Sequence, residues 1–444
     1  MTDLKKLTVG LVSLGCSKNQ IDAEMMLSFL DDAGVEFTGD AENADVIIVN
    51  TCGFIGDAQK QSVEAIRNTA RLKKRGRLKK LMVTGCLAER WKDKILTEHP
   101  DVDAVVGVGG IQEIVQAVRA SFEKSPYSLF LPSDKGEMDG VRMLLDETVS
   151  ACLRVSEGCN NRCSYCAIPF IRGKYRSRQM EKIIEEAQDL QAAGIREVNL
   201  IAQDTSRYGV DLYKKPALPE LLRRLAKETD IPWFRLFYCY PDQITDELIA
   251  EIKNNPRVLH YIDIPVQHIN DSVLKRMNRR GGRALIENVL SKLRREIPDI
   301  VIRTTAIVGF PGETEEQFEE LLDFVKTAKF NRFGAFMYSR EKGTAAYDFD
   351  NQIDEETKRR RYDAVMRAQA EISLAYQEAC VGQKRTILCE GFDDVQGLFF
   401  GRDYANGPDI DGKVFFSSDK PVNIGDFADV EITRADIYDI YGTF

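Results

Sequence analysis

The sequence predicts an α/β chain in three parts: a doubly wound parallel sheet, an incomplete parallel (βα)6 barrel, and a small all-β barrel. Three observations lead there. From residue 7 to about 125, short apolar runs alternate with amphipathic stretches, as in a parallel sheet with helices on both faces. Six more strand–helix units follow, too few to close an eight-stranded barrel. From Gly382 onward, short alternating strands are separated by turns at Gly391, Gly407, Gly412 and Gly425. The boundaries fall at 5–124, a Pro- and Gly-containing linker at 125–144, 145–375 and 376–444.

The first part begins with LTVGLVSLG, a buried strand, and QIDAEMMLSFLDDAG, a helix ended by Gly34. DVIIVN and KKLMVTG are the next strands, with helices expected over 57–74 and in AERWKDKILTEH. VDAVVGV and IQEIVQAVRASF repeat the pair. The barrel strands are ACLRVSEGC, REVNLIAQ, PWFRLFYCY, HYIDIPVQH, DIVIRTTAIVG and NRFGAFMYS. Ligand sites in such sheets and barrels gather where the strands end. Cys159, Gln203, Tyr240, Gln267, Gly309 and Ser339 follow those ends. A long helix over 354–380 leads to the last part.

Bulk composition narrows the function. A net charge of −9 disfavours a chain built only to coat nucleic acid. With three histidines, His99, His260 and His268, a His-centred zinc or acid–base enzyme is disfavoured. No apolar run reaches the ~18 residues of a membrane span, and the start lacks a signal-peptide pattern, which together point to the cytoplasm. Ten cysteines in such a chain suggest metal ligation or catalysis rather than disulfides.

Cys159, Cys163 and Cys166 stand at C-x3-C-x2-C spacing in EGCNNRCSYC. Three thiolates can wrap one face of an iron–sulfur cubane and leave one iron open to a small molecule. Structural zinc is the alternative, but it takes four ligands, and no fourth Cys or His lies nearby in the sequence. Cys16, Cys52 and Cys86 each follow a strand of the first sheet, beside Gly15, Gly53 and Gly85. A parallel sheet gathers such positions on one edge, so a second three-cysteine cluster is expected; the alternative is three inert core thiols. Cys152, Cys239, Cys380 and Cys389 have no ligand-like spacing and read as packed thiols. The run Arg71–Lys80 holds seven basic residues, a solvated helix end or a contact for RNA phosphate.

The C-x3-C-x2-C loop after a strand resembles that of radical S-adenosylmethionine (SAM) enzymes. With the second cysteine trio before it and the β-barrel after it, which resembles a TRAM domain, nearly the whole chain resembles the methylthiotransferase family. The resemblance implies two 4Fe-4S clusters, SAM as cofactor, Cys159, Cys163 and Cys166 at the catalytic cluster, a low-potential electron donor and a sulfur donor. It places Tyr165 beside the adenine of SAM, and Gly309, Gly312 and Glu313 in TAIVGFPGETEE match the segment near that adenine; Gln203 and Gln267, polar residues at strand ends, are the other candidate cofactor contacts. The family modifies either an adenosine of tRNA or an aspartate of small-subunit ribosomal protein S twelve. Residues 376–444 carry thirteen acids against six bases, a surface suited to a basic protein rather than to RNA. SLGCSKNQIDAE, AIPFIRGKYRSR and PDIDGKV also resemble the ribosomal-protein branch, with Gly407 in place of an expected Ala. The contrasting readings are the tRNA-modifying sister and a non-catalytic metal-cluster protein of the ribosome.

Overall fold

A computed structural model describes residues 4–134, 136 and 138–444; Lys135 and Glu137, within the expected linker 125–144, lie outside the described residues. The chain forms two compact units. The first comprises the chain up to Glu147 with Ser156–Arg178 and Ser339–Tyr347; the second comprises Thr148–Val155, Gln179–Tyr338 and Asp348–Phe444. The expected boundary at 145 is therefore crossed twice more, because the cysteine loop and a segment after the last barrel strand pack with the first unit.

In the first unit, β1 (Thr8–Ser13), β2 (Glu36–Phe37), β3 (Val46–Thr51), β4 (Lys80–Gly85), β5 (Ala104–Val106) and β6 (Tyr127–Leu129) form one parallel sheet in the order β2-β1-β3-β4-β5-β6. β3 is buried along its whole length, as its unbroken apolar run requires of a strand covered on both faces. Two expectations are corrected. The linker contains β6, which pairs parallel with β5 and is too short to show alternation. The single helix expected in AERWKDKILTEH is two, Cys86–Trp91 and Lys94–Glu98, broken at Lys92 with φ +51°. The break keeps Leu87, Ala88 and Ile95 in one core. Within the basic run, Lys73 and Lys80 pair with Asp103, Lys74 with Asp101, Lys79 with Asp45 and Arg75 with Glu42. Most of that run's charge is thus neutralised inside the unit.

In the second unit, six parallel strands lie in the order Arg332–Met337, Val301–Val308, Val258–Asp263, Trp233–Leu236, Glu197–Ile201, Ser150–Arg154. The helix Glu355–Glu378 then leads to a closed five-stranded barrel. Residues 402–411 of that barrel plug the end of the larger sheet where its strands begin. Arg332 Nε donates to the Ala405 carbonyl at 3.1 Å, Tyr261 Oη donates to Asp411 at 2.8 Å, and Arg402 joins Glu197 and Glu390. Gly407 sits in this plug, where a Cβ would stand 2.9 Å from the Phe237 ring and 3.0 Å from Tyr261 Oη. In such barrels ligand sites form at the opposite end, where the strands finish. Among the described residues no helix is long and apolar enough to cross a membrane.

Candidate metal-cluster centre

Cys16, Cys52 and Cys86 follow β1, β3 and β4, three adjacent strands. Register places Ser13 beside Asn50 and Thr51 beside Gly85, so the three loops leave one sheet edge together. The thiols sense one another. Burial raises the Cys52 pKa, with Cys16 adding to it against the Phe54 amide and Arg172. Burial pushes Cys86 up to about 12, with Cys16 and Cys52 adding and Arg172 opposing.

Glycine makes this convergence possible. A Cβ on Gly15 (φ +100°) would lie 2.9 Å from Cys52 Cβ, and one on Gly53 would lie 2.7 Å from the Cys86 carbonyl. Asn19 ties the loops: its Nδ2 donates to the carbonyls of Leu14 (2.9 Å) and Thr51 (2.8 Å), and its Oδ1 accepts from Cys86 Sγ at 3.3 Å. Ser62 Oγ accepts from the Cys52 amide at 3.0 Å and donates to its carbonyl at 2.9 Å.

The second trio lies on the loop between Ser156–Glu157 and Arg176–Ser177, which pair as a short antiparallel ribbon. Gly158 (φ +74°) allows the tight entry, since a Cβ there would meet the Lys174 carbonyl at 2.2 Å. The Cys159 amide donates to Gly173 O at 3.1 Å, and the Cys166 amide to Cys163 O at 3.0 Å. Cys159 and Cys163 are buried, while Tyr165 and Cys166 are half-buried. All six cysteines belong to the first unit.

Arg172 connects the trios. Its guanidinium is buried, with Nη1 2.7 Å from Asp22 and 3.2 Å from Glu157, and Nη2 2.7 Å from Asn19 Oδ1 and 3.3 Å from Cys86 Sγ. Burial lowers its pKa, but Asp22, Cys86, Glu157 and Cys16 more than reverse this, so it stays a cation. Sequence reasoning assigned roles to neither Asn19 nor Arg172. Their signal lay in SLGCSKNQIDAE and AIPFIRGKYRSR, which marked likeness without chemistry.

Each trio offers three soft sulfur donors, and the glycines of the first let its loops approach one another closely. This donor set suits an iron–sulfur cubane with one iron not held by protein. Among the described residues no three His, Cys, Asp or Glu side chains are drawn together as one metal ion would draw them. Asn19→Ala is expected to weaken iron retention by the first trio about 10–100-fold, the usual effect of losing a group that orients metal ligands. Chelator competition measures it; unchanged retention would show that Asn19 only packs.

The remaining expected residues lie on the second unit. Gln203 follows the strand Glu197–Ile201 and is half-buried. Gln267 adopts φ +70°, rare for a residue with a side chain; its amide donates to Thr305 O at 2.8 Å and its carbonyl accepts from Ile307 N at 2.7 Å. Such a conformation at a strand end marks a candidate ligand contact. Gly309 (φ +70°) and Glu313 have internal work. A Cβ on Gly309 would meet Lys358 Cγ at 2.3 Å. The fully buried Glu313 accepts from the Phe310 amide at 2.9 Å, with His268 Nε2 3.7 Å away. His268 Nδ1 accepts from the Asn270 amide, which places the imidazole proton on Nε2, toward Glu313.

The Radical SAM superfamily matches residues 153–325, the Uncharacterized protein family UPF0004 residues 8–107, and the TRAM domain residues 381–444. The ribosomal protein uS12 methylthiotransferase RimO of Thermoanaerobacter sp. (strain X514) is 47% identical over 441 residues, 98% of this chain and 99% of that protein. The protein of the same description from Caldanaerobacter subterraneus subsp. tengcongensis is 48% identical over 437 residues, with the same coverage. Among solved structures, the radical S-adenosylmethionine methyltransferase TsrM from Kitasatospora setae, with cobalamin and a 4Fe-4S cluster bound, aligns with TM-score 0.58 at 15% identity. It covers 85% of this chain and 76% of that one, a likeness of fold alone.

Proposed function

The chain belongs to the family of ribosomal protein uS12 methylthiotransferases, and from that premise we propose how its own residues divide the reaction. The enzyme transfers a methylthio group to uS12 with SAM and 4Fe-4S clusters as cofactors. Cys159, Cys163 and Cys166 hold the cluster that serves SAM, and Cys16, Cys52 and Cys86 hold the second. The acceptor is the β-carbon of an aspartate, and each turnover uses two SAM. The observation that carries this reading is the presence of two three-cysteine sets, each one ligand short of a closed site, on one compact unit.

Bound there, the clusters and SAM supply the radical that opens a carbon–hydrogen bond and the sulfur that takes its place. The chain's residues hold and shield. Asn19 and Ser62 fix the loops of the first trio, burial of Cys159 and Cys163 keeps water from their sulfurs, and Tyr165, on the same unit, meets SAM. On the second unit, Gln267 is the candidate SAM contact at its strand end, and Gly309 and Glu313 shape the turn that follows the next strand.

The C-terminal barrel favours a basic protein partner. Of its thirteen acids, eight are exposed, Glu378, Asp394, Asp409, Asp419, Asp426, Asp429, Glu431 and Asp436, against four exposed bases, Lys384, Lys413, Lys420 and Arg434. The pairing of Lys73, Lys74, Lys79 and Lys80 within the first unit removes most of the case for a tRNA substrate. A low-potential electron donor and a sulfur donor complete the partners, in the cytoplasm.

The test is anaerobic reconstitution, iron counting and incubation with uS12 or tRNA, followed by mass analysis. About eight irons per chain and one methylthio group on an aspartate of uS12 are expected. A methylthio group found on tRNA alone would sink the substrate assignment.

A further inference from the structure

We propose that Arg172 is a positioning residue that sets the reduction potential of the N-terminal cluster through its hydrogen bond to the sulfur of Cys86. The inference rests on the reading that Cys16, Cys52 and Cys86 hold iron. It goes further by giving that cluster a built-in electrostatic partner.

The geometry is specific. The guanidinium donates from Nη2 to Cys86 Sγ at 3.3 Å, while its other contacts, Asn19 Oδ1, Asp22 and Glu157, hold the fork in place. Asn19 cannot turn a donor toward that sulfur, because its Nδ2 is committed to Leu14 O and Thr51 O and its Oδ1 faces Cys86. Once the sulfur carries iron it has no proton to give that oxygen. Arg172 then donates to a sulfur whose other polar neighbour is an acceptor.

Hydrogen bonds to ligand sulfurs and nearby charge are among the levers that set cluster potentials. Reduction adds one electron, and a cation against the sulfur stabilises the state with more negative charge. Burial leaves this effect weakly screened. Asp22 and Glu157 oppose it, so the net field depends on the planar fork that faces both carboxylates through Nη1 and still points an N–H of Nη2 at Cys86. Lysine keeps the charge but has no such fork. A purely structural tie between Asp22 and Glu157 would leave the potential unmoved.

The experiment uses the full chain with Cys159, Cys163 and Cys166 all changed to Ala, so that one cluster of about four irons remains. Dithionite supplies the electrons in a titration followed by electron paramagnetic resonance. In this background Arg172→Lys is expected to move the midpoint to lower potential with iron content unchanged. Independently, the unsubstituted-Arg172 chain labelled with nitrogen-15 arginine is expected to show nitrogen coupling to the reduced cluster. If the three-alanine chain holds no iron, the cluster reading itself fails. If it holds iron but the midpoint does not move in Arg172→Lys, or no nitrogen coupling is seen, Arg172 is structural and the proposal is overturned. Should Arg172→Lys fail to load iron, the nitrogen coupling alone decides.

Discussion

Cys163→Ala is expected to reduce 5′-deoxyadenosine production to background, whereas Cys52→Ala is expected to retain it and lose methylthio transfer. The reason lies in how the two trios are built. Cys163 is 6% exposed, on a loop fixed by the ribbon Ser156–Glu157 with Arg176–Ser177 and by the Cys159 and Cys166 amides. Beyond Cys159 and Cys166, which belong to the same trio, no further cysteine lies on that loop to replace it. Cys52 belongs to the sheet edge, where Ser62 bonds its backbone and Gly15 lets the neighbouring loop pass close to it. Each substitution is expected to halve the iron from about eight to about four per chain. Removing one small thiol costs about 1 kcal/mol of stability, so both variants stay folded and the losses report chemistry. Chromatography of 5′-deoxyadenosine and mass analysis of uS12 separate the two. SAM cleavage by Cys163→Ala at the parent rate would end the assignment of that trio.

What the sequence revealed follows from locality. β3 and the six strands of the larger sheet are short apolar runs, and three cysteines directly after such runs could be placed on one edge before any contact was known. Contacts between residues far apart in the chain were out of reach. Nothing local in AIPFIRGKYRSR says that Arg172 reaches Asp22 and Cys86. Nothing in YSL announces a sixth strand, because three residues cannot display a period. Counting acids overstated the surface charge of the last barrel, since Glu390, Asp403 and Asp411 are engaged by Arg402, Arg385 and Tyr261. The single glycine at 407 does not announce that it sits among the side chains of Phe237, Tyr261 and Asp411.

Glu197→Ala is expected to be the most destabilising single change in the second unit. Glu197 opens its strand with no exposed surface, 2.7 Å from Arg235 Nε and also bonded to Arg402. Burial alone would raise its pKa, but the two guanidiniums hold it down at about 2. Removing it leaves Arg235 with the Tyr404 carbonyl and Arg402 with Glu390. Breaking a buried pair in this way costs about 3–5 kcal/mol. The depressed pKa gives the sign of the pH dependence. The unfolded chain binds a proton near pH 4.5, whereas the folded chain resists until about pH 2. The contribution is therefore complete above about pH 5 and is lost as pH falls toward 2, on the order of 3 kcal/mol in all. Trp233, whose ring meets Phe427 of the small barrel edge-on at 4.9 Å, reports the junction. Denaturant unfolding followed by its fluorescence, in a chain with Trp91 changed to Phe, should show a lower midpoint for Glu197→Ala at pH 7. It should also show a weaker loss of stability on acidification than the parent. Equal midpoints at pH 7 would mean that the arginines find other partners and that the plug at 402–411 is held by packing instead.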